Sequence, residues 1–190
     1  MFAYKNKYFL IIENIKDINL NTIKKHNKFL IIYRPKEIKL NFLDILKFRR
    51  QCKLKNIKFF IANNLKLCSL IKADGVYLSS YNKSLKALYQ KKPTFKIIGS
   101  AHNFTQIREK IKQGCEFILL SKLFLVQYSN KSPYLGVVKF NNYLRNIYKK
   151  LIPLGGINSN NLNKLREINC LGFAVLSAVK KKPAITNRLF

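Results

Sequence analysis

No apolar run in this 190-residue sequence is long enough to cross a bilayer, which excludes a membrane-spanning helix. Cysteine is sparse and poorly placed for a metal. Cys52, Cys68, Cys115 and Cys170 include no pair at ligand spacing, and each lies in an apolar or helix-like context. They read as buried free thiols in a reducing compartment. There is no low-complexity segment and no shift of composition that would mark a linker, so residues 1–190 read as one domain. At 48% hydrophobic and 13% aromatic residues, that domain has enough apolar side chains to bury a core. The apolar stretch Tyr8–Ile12 is followed by Glu13 and Asp17 without small, cleavage-type residues. It reads as a first strand rather than a signal peptide, and the expected location is cytoplasmic.

Acidic residues are scarce as well. Eight Asp and Glu stand against 37 Lys and Arg, giving a formal net charge of +29 at pH 7. Such a charge attracts any polyanion, whether nucleic acid, anionic membrane or phosphorylated metabolite. The excess is mostly Lys, however, and accompanies heavy use of Asn, Ile, Phe and Tyr, residue types that share AT-rich codons. The basic residues are also scattered: Lys180–Lys182 is the longest run, and elsewhere they occur singly or in pairs such as Lys24-Lys25 and Arg49-Arg50. The pattern reads as a solvated surface, with neither a nucleic acid nor a membrane as partner.

Short apolar runs alternate with longer amphipathic ones along the chain. Strands are expected at Tyr8–Ile12, Phe29–Tyr33, Ile57–Ala62, Gly75–Leu78, Phe95–Gly99, Phe117–Leu120, Leu151–Leu154 and Gly172–Val175. They are apolar on both faces, as strands of a helix-covered parallel sheet must be. Between them, 42–54 reads as a helix with Leu43, Leu46 and Arg50 near one face, and 104–114 as a helix ending on Gly114. Asn158–Asn160 can cap a helix after the seventh strand. About eight strand–helix repeats point to an α/β fold, a single (β/α)8 TIM barrel, with an open doubly wound sheet as the competitor. Leu123–Leu135 is the one long loop, either functional or merely flexible.

In such a barrel, functional residues follow the strands, and phosphate is held after strands seven and eight. Gly155-Gly156-Ile157-Asn158 and Leu176-Ser177-Ala178 occupy those places. Paired glycines let backbone N–H groups approach an anion, and Ser177 adds a hydroxyl donor. A lone glycine pair would be only a tight turn; two such features after consecutive final strands favour a phosphate site. Arg34 and Lys36 after the second strand are anion partners or plain surface cations. Asn63 and Asn64 follow the third strand, Ser79, Ser80 and Asn82 the fourth, and Ser100 and His102 the fifth. His102, one of two histidines, is either a general acid/base or a helix-capping residue.

Read in order, the segments 33–36 (YRPK), 60–64 (FIANN), 73–78 (ADGVYL), 98–103 (IGSAHN), 153–158 (PLGGIN) and 172–178 (GFAVLSA) resemble the thiamine phosphate synthase/TenI family. The resemblance runs from about the second strand onward and implies a (β/α)8 barrel with a small phosphorylated thiazole or thiamine precursor as its partner. It implies that Arg34, Lys36 and Asn63 hold a pyrophosphate, together with Ser100 and Lys131. It also implies that Gly155, Gly156, Ile157, Leu176 and Ser177 hold the thiazole phosphate.

The chain departs from the synthase pattern where synthases carry two magnesium-binding aspartates, for Asn64 and Asn82 occupy those positions. Magnesium prefers carboxylate oxygens, so Mg2+ is expected as a cofactor only if the chain is an active synthase. Tyr77 replaces a usual His, and Ser121-Lys122 and Val126 replace a usual Gly-Pro and Thr. TenI-type members need no such metal. They isomerise a thiazole carboxylate phosphate to its aromatic tautomer with a histidine that His102 matches. The expected function is therefore TenI-like proton transfer. An active synthase and a non-catalytic binder are the alternatives, with a polyanion-binding protein last.

Overall fold

Eight parallel strands pair in chain order and close on themselves: β1 (Lys7–Ile12), β2 (Phe29–Tyr33), β3 (Lys58–Ala62), β4 (Gly75–Leu78), β5 (Lys96–Ala101), β6 (Phe117–Ser121), β7 (Leu151–Leu154) and β8 (Gly172–Val175). Closure is made by β1 against β8, from Lys7 beside Gly172 to Leu10 beside Val175. The computed structural model describes residues 7–23, 26–36, 41–90, 92–126, 133–147 and 151–176. The expected (β/α)8 barrel is what forms, and the open sheet is ruled out. Strand limits differ from the sequence reading by one or two residues, β5 reaching Ala101 and β6 reaching Ser121.

Side chains alternate along each strand between the barrel interior and the layer beneath the helices. Phe9, Ile11, Leu30, Ile32, Phe60, Tyr77, Ile98, Phe117, Leu119, Ile152 and Ala174 fill the interior. Tyr8, Leu10, Ile12, Ile31, Phe59, Val76, Ile97, Ile118 and Val175 face outward into a second cluster with the helices. Both faces are buried, which is why the strands read as continuous apolar runs.

The outer layer is lean. Among the described residues five α-helices cover it: α1 (Phe42–Leu54), α2 (Leu65–Leu70), α3 (Lys86–Tyr89), α4 (Phe104–Lys112) and α5 (Gly136–Asn146). Among the described residues, three single 3-10 turns lie between β1 and β2, and one 3-10 stretch, Leu162–Glu167, between β7 and β8. Asparagine explains the first gap, because its short amide competes for nearby backbone N–H groups and favours turns over helix. Asn14 and Asn19 each accept a hydrogen bond from the backbone two residues on, and the Asp17 carboxylate closes back on the N–H of Asn14.

Two local expectations are corrected. The inward face of α1 is Ile45, Phe48, Arg49 and Cys52, while Leu43 is 63% exposed and Arg50 faces solvent. Arg49 is drawn inward because its guanidinium meets Asp74 at 3.1 Å and its Nε donates to the carbonyl of Lys72. Asn158–Asn160 does not cap an α-helix. Asn158 Oδ1 accepts from the N–H of Asn160 in a local turn, and a 3-10 helix starts only at Leu162.

Asp74 is the main electrostatic tie of the barrel wall. Its carboxylate accepts from the N–H of Phe59 and pairs with both Arg49 and Lys58. Asp74→Ala strands a mostly buried guanidinium and an amide N–H, so a loss of roughly 3 kcal/mol is expected. Urea unfolding would measure it, and an unchanged midpoint would show that the cluster behaves like a surface ion pair. All four cysteines are buried and none is in a disulfide; burial pushes the thiols of Cys52 and Cys68 up to about 12. No helix among the described residues is long and apolar enough to cross a membrane.

Candidate functional site

The strand alternation carries past the ends of the strands and builds a polar rim. On β2 the inward positions are Leu30 and Ile32, and the next is Arg34; on β5 Ile98 leads to Ser100 and His102; on β6 Leu119 leads to Ser121. Arg34, Ser100, His102 and Ser121 all line one cavity of about 500 Å³ at the C-terminal end of the barrel. Tyr77 and Leu154 also line it, with Ser79, Ser80 and Tyr81 on the β4 side and Gly155, Gly156, Ile157 and Leu176 on the other. Among the described residues no carboxylate lines it, whereas Arg34 and Lys122 do.

At β3 the alternation is broken. Asn63 takes the left-handed conformation, with φ of 55°. Asparagine tolerates that region better than most residues. The break swings Asn63 into the cavity wall and sends Asn64 to the start of α2, where its Oδ1 accepts from the N–H of Leu67 at 2.9 Å. Asn63 Oδ1 accepts two bonds, from the N–H of Ser79 at 3.0 Å and from Asn82 Nδ2 at 3.1 Å. Asn82 Oδ1 in turn accepts from the N–H of Ser84 at 2.9 Å. Backbone N–H groups can only donate, so they fix the orientation of all three amides.

These bonds decide whether the rim fits a divalent cation. Asn64 and Asn82 each have their single amide oxygen accepting from a backbone N–H, which leaves one lone pair on a neutral oxygen and an NH2 group that donates and cannot ligate a cation. A carboxylate in either place would leave a second oxygen free. Among the described residues no group of three His, Cys, Asp or Glu side chains could hold a metal ion either. The residues present do not fit magnesium.

The glycine corner is shaped for close approach. Gly155 and Gly156 have φ of 94° and 71°. A Cβ on Gly156 would lie 2.5 Å from the carbonyl oxygens of Phe124 and Leu125. Those residues belong to the β6 loop, which is sewn to the β7 end by the N–H of Leu123 on the carbonyl of Leu154 and that of Phe124 on Gly155. Asn161 Nδ2 holds the carbonyl of Gly156 at 2.7 Å. Among the described residues the N–H groups of Gly156 and Ile157 donate to no other protein group, so both are available to an anion.

His102 stands exposed at the rim with Nδ1 2.9 Å from Ser121 Oγ. The contact orients the ring and leaves Nε2 for a ligand. The backbone around it is held independently, for its own N–H donates to Gln106 Oε1 and Asn103 Oδ1 caps α4 through the N–H of Gln106. The capping residue is therefore Asn103.

Of the other anticipated residues, Lys36 is not among those lining the cavity; its ammonium lies 3.4 Å from the Glu13 carboxylate. Ser177 and Lys131 lie outside the described residues. The sequence reading did not assign Ser121, Lys122, Tyr81 or Val126 to the site, although the alternation of β6 was enough to flag Ser121. It also missed Lys110, which is fully buried on α4. Lys110 follows Ile107 by three residues and so shares its inward face. Its Nζ donates to the carbonyl of Asn82 at 2.6 Å and to Gln113 Oε1 at 2.8 Å, and burial lowers its pKa below the usual lysine value.

Comparison with known proteins gives one consistent result. A family model described as thiamine monophosphate synthase matches residues 15–179. A thiamine-phosphate synthase of Prochlorococcus marinus subsp. pastoris is 30% identical over 173 residues, which are 89% of this chain and 48% of that protein. One from Coprothermobacter proteolyticus is 29% identical over 136 residues, 71% of this chain and 64% of that protein. The chain thus spans about half to two thirds of the length of these relatives. Among solved structures, thiamine phosphate pyrophosphorylase from Pyrococcus furiosus superposes with a TM-score of 0.76 at 17% identity, covering 97% of this chain and 93% of that one. TrpF from Jonesia denitrificans, at 14% identity and a TM-score of 0.67, shares the barrel alone.

Proposed function

Since the chain belongs to the thiamine monophosphate synthase family, we propose that it binds a thiazole phosphate at the rim of its barrel and isomerises it by metal-independent proton transfer, as TenI-type members do. The observation that carries this reading is the state of the two asparagines. Asn64 and Asn82 are neutral amides whose oxygens already accept from backbone N–H groups, so the rim lacks the carboxylates that would hold a metal against a departing diphosphate. Proton transfer needs no such help.

In this reading the phosphate sits against the N–H groups of Gly156 and Ile157 beside Lys122, in a corner free of carboxylates. His102, oriented by Ser121, takes and returns the proton through Nε2. An imidazole is the side chain best matched to that task near neutral pH. Arg34 and the NH2 group of Asn63 lie across the cavity and suit a second anionic group, the carboxylate of the thiazole.

Two assays on the purified protein test the reading. One mixes hydroxymethylpyrimidine diphosphate with thiazole phosphate, with and without Mg2+, and follows thiamine phosphate. The other follows aromatisation of the thiazole carboxylate phosphate in EDTA. Aromatisation in EDTA without thiamine phosphate formation is the expected pair of results. Magnesium-dependent thiamine phosphate formation would make the chain a synthase instead, and binding without either conversion would make it a non-catalytic binder.

A further inference from the structure

Lys110 and Gln113 are the two most deeply buried polar side chains of the chain's described residues, at 0% and 2% exposure, and neither takes part in the chemistry above. Lys110 from the last turn of α4 and Gln113 from its C-terminal cap both reach the loop that joins β4 to α3. Lys110 Nζ donates to the carbonyl of Asn82, and Gln113 Nε2 donates to the carbonyls of Asn82 and Ser84 at 2.9 and 2.8 Å. Gln113 Oε1 accepts from Lys110, so each group steadies the other. The aliphatic stem of Lys110 is packed against Gly99 of β5, where a Cβ would lie 2.7 Å from its Cδ. This is a fixed strut between the β5 wall and residues 82–84.

The strut ends one residue's width from the cavity. Asn82, held by its carbonyl, places its Nδ2 on Asn63 Oδ1, and Ser79 of the same loop donates its N–H to the same oxygen. With that oxygen doubly engaged, the Asn63 side chain can offer the cavity only its NH2 hydrogens. A donor beside Arg34 recognises an anion directly and rejects a cation.

We propose that Lys110, with Gln113, is a positioning residue that holds the β4 loop so that Asn82 turns Asn63 into a fixed donor, making Arg34 and Asn63 a metal-free subsite for the carboxylate of the ligand. The proposal rests on the functional reading above and adds to it a source of substrate selectivity. The phosphate corner at Gly155 and Gly156 is built by other loops and is not touched by the strut. Loosening the strut therefore weakens recognition of the carboxylate and leaves recognition of the phosphate alone.

The test compares two probes by calorimetry in EDTA: the thiazole carboxylate phosphate and the same thiazole phosphate without the carboxylate. Wild-type protein is expected to bind the carboxylated probe about tenfold more tightly, the size of effect that one or two charge-assisted hydrogen bonds give. Lys110→Met keeps the volume of the stem and removes the ammonium. It is expected to bring the ratio of the two affinities close to one, while affinity for the plain thiazole phosphate changes by less than about twofold. Gln113→Leu, which removes both bonds from Nε2, is expected to act in the same direction and serves if Lys110→Met does not fold. A merely structural role would weaken both probes together or neither. A ratio preserved in the folded variant overturns the proposal, as does a wild type that binds both probes equally, and both results leave the functional reading standing. A wild type that binds neither probe overturns that reading and this subsite with it.

Discussion

Replacing His102 by alanine is expected to lower the rate constant of isomerisation by about 10²- to 10⁴-fold, the usual share of a positioned acid/base group. Affinity for the thiazole phosphate should stay nearly unchanged. The two effects separate because the backbone at this point does not depend on the ring. The N–H of His102 is held by Gln106 Oε1, and α4 is capped by Asn103, so the variant keeps the start of the helix and the wall of the cavity. Ser121→Ala should produce a smaller loss of the same kind, since it frees the ring to turn but leaves the imidazole in place. Turnover by His102→Ala at the wild-type rate would remove His102 from the mechanism.

Gly156→Ala is expected to cost roughly 2 to 4 kcal/mol of stability and to abolish measurable phosphate binding. Two penalties combine. The residue has φ of 71°, a region costly for a side chain with a Cβ, and the new methyl group would sit 2.5 Å from two backbone carbonyl oxygens. Neither oxygen belongs to a flexible side-chain end, so the β6 loop itself has to move. That loop is tied to the same corner through Leu123 and Phe124, and its displacement carries the N–H groups of Gly156 and Ile157 with it. Gly136→Ala supplies the control. Its φ is 69°, but nothing lies within 4 Å of the added Cβ, so it isolates the backbone penalty of about 1 kcal/mol. Thermal unfolding of both variants, with phosphate titrated by calorimetry, separates the terms. Equal losses in the two would show that the close contact with the β6 loop does not matter.

The barrel was legible because its strands are short, apolar on both faces and evenly spaced, which is the pattern that only a helix-covered parallel sheet requires. The same alternation accounts for Arg34, Ser100 and His102 at the rim. It fails at Asn63, since a single left-handed residue reverses which neighbour faces inward, and φ does not show in a list of residue types. Lys36 sits two positions beyond Arg34, as alternation asks, but the strand has ended there and its ammonium lies 3.4 Å from the Glu13 carboxylate, a pairing the sequence does not show. The face of α1 was misread because a buried Arg does not announce itself without its partner, and Asp74 lies far along the chain. Lys110 escaped notice because lysine is so frequent in this sequence that one on an inward helical face looks like the rest.

The wiring of Asn64 and Asn82 has a consequence for engineering. Asn and Asp have nearly the same volume and differ at one terminus, NH2 in one and oxygen in the other. At position 64 the exchange would keep the cap on α2 and add an unused oxygen. At position 82 it would set a carboxylate oxygen against Asn63 Oδ1 at about the present 3.1 Å, a repulsion that a cation between them would relieve. Two near-isosteric exchanges would thus add two carboxylates beside a rim whose charged groups are now Arg34 and Lys122, giving a cation something to pair with.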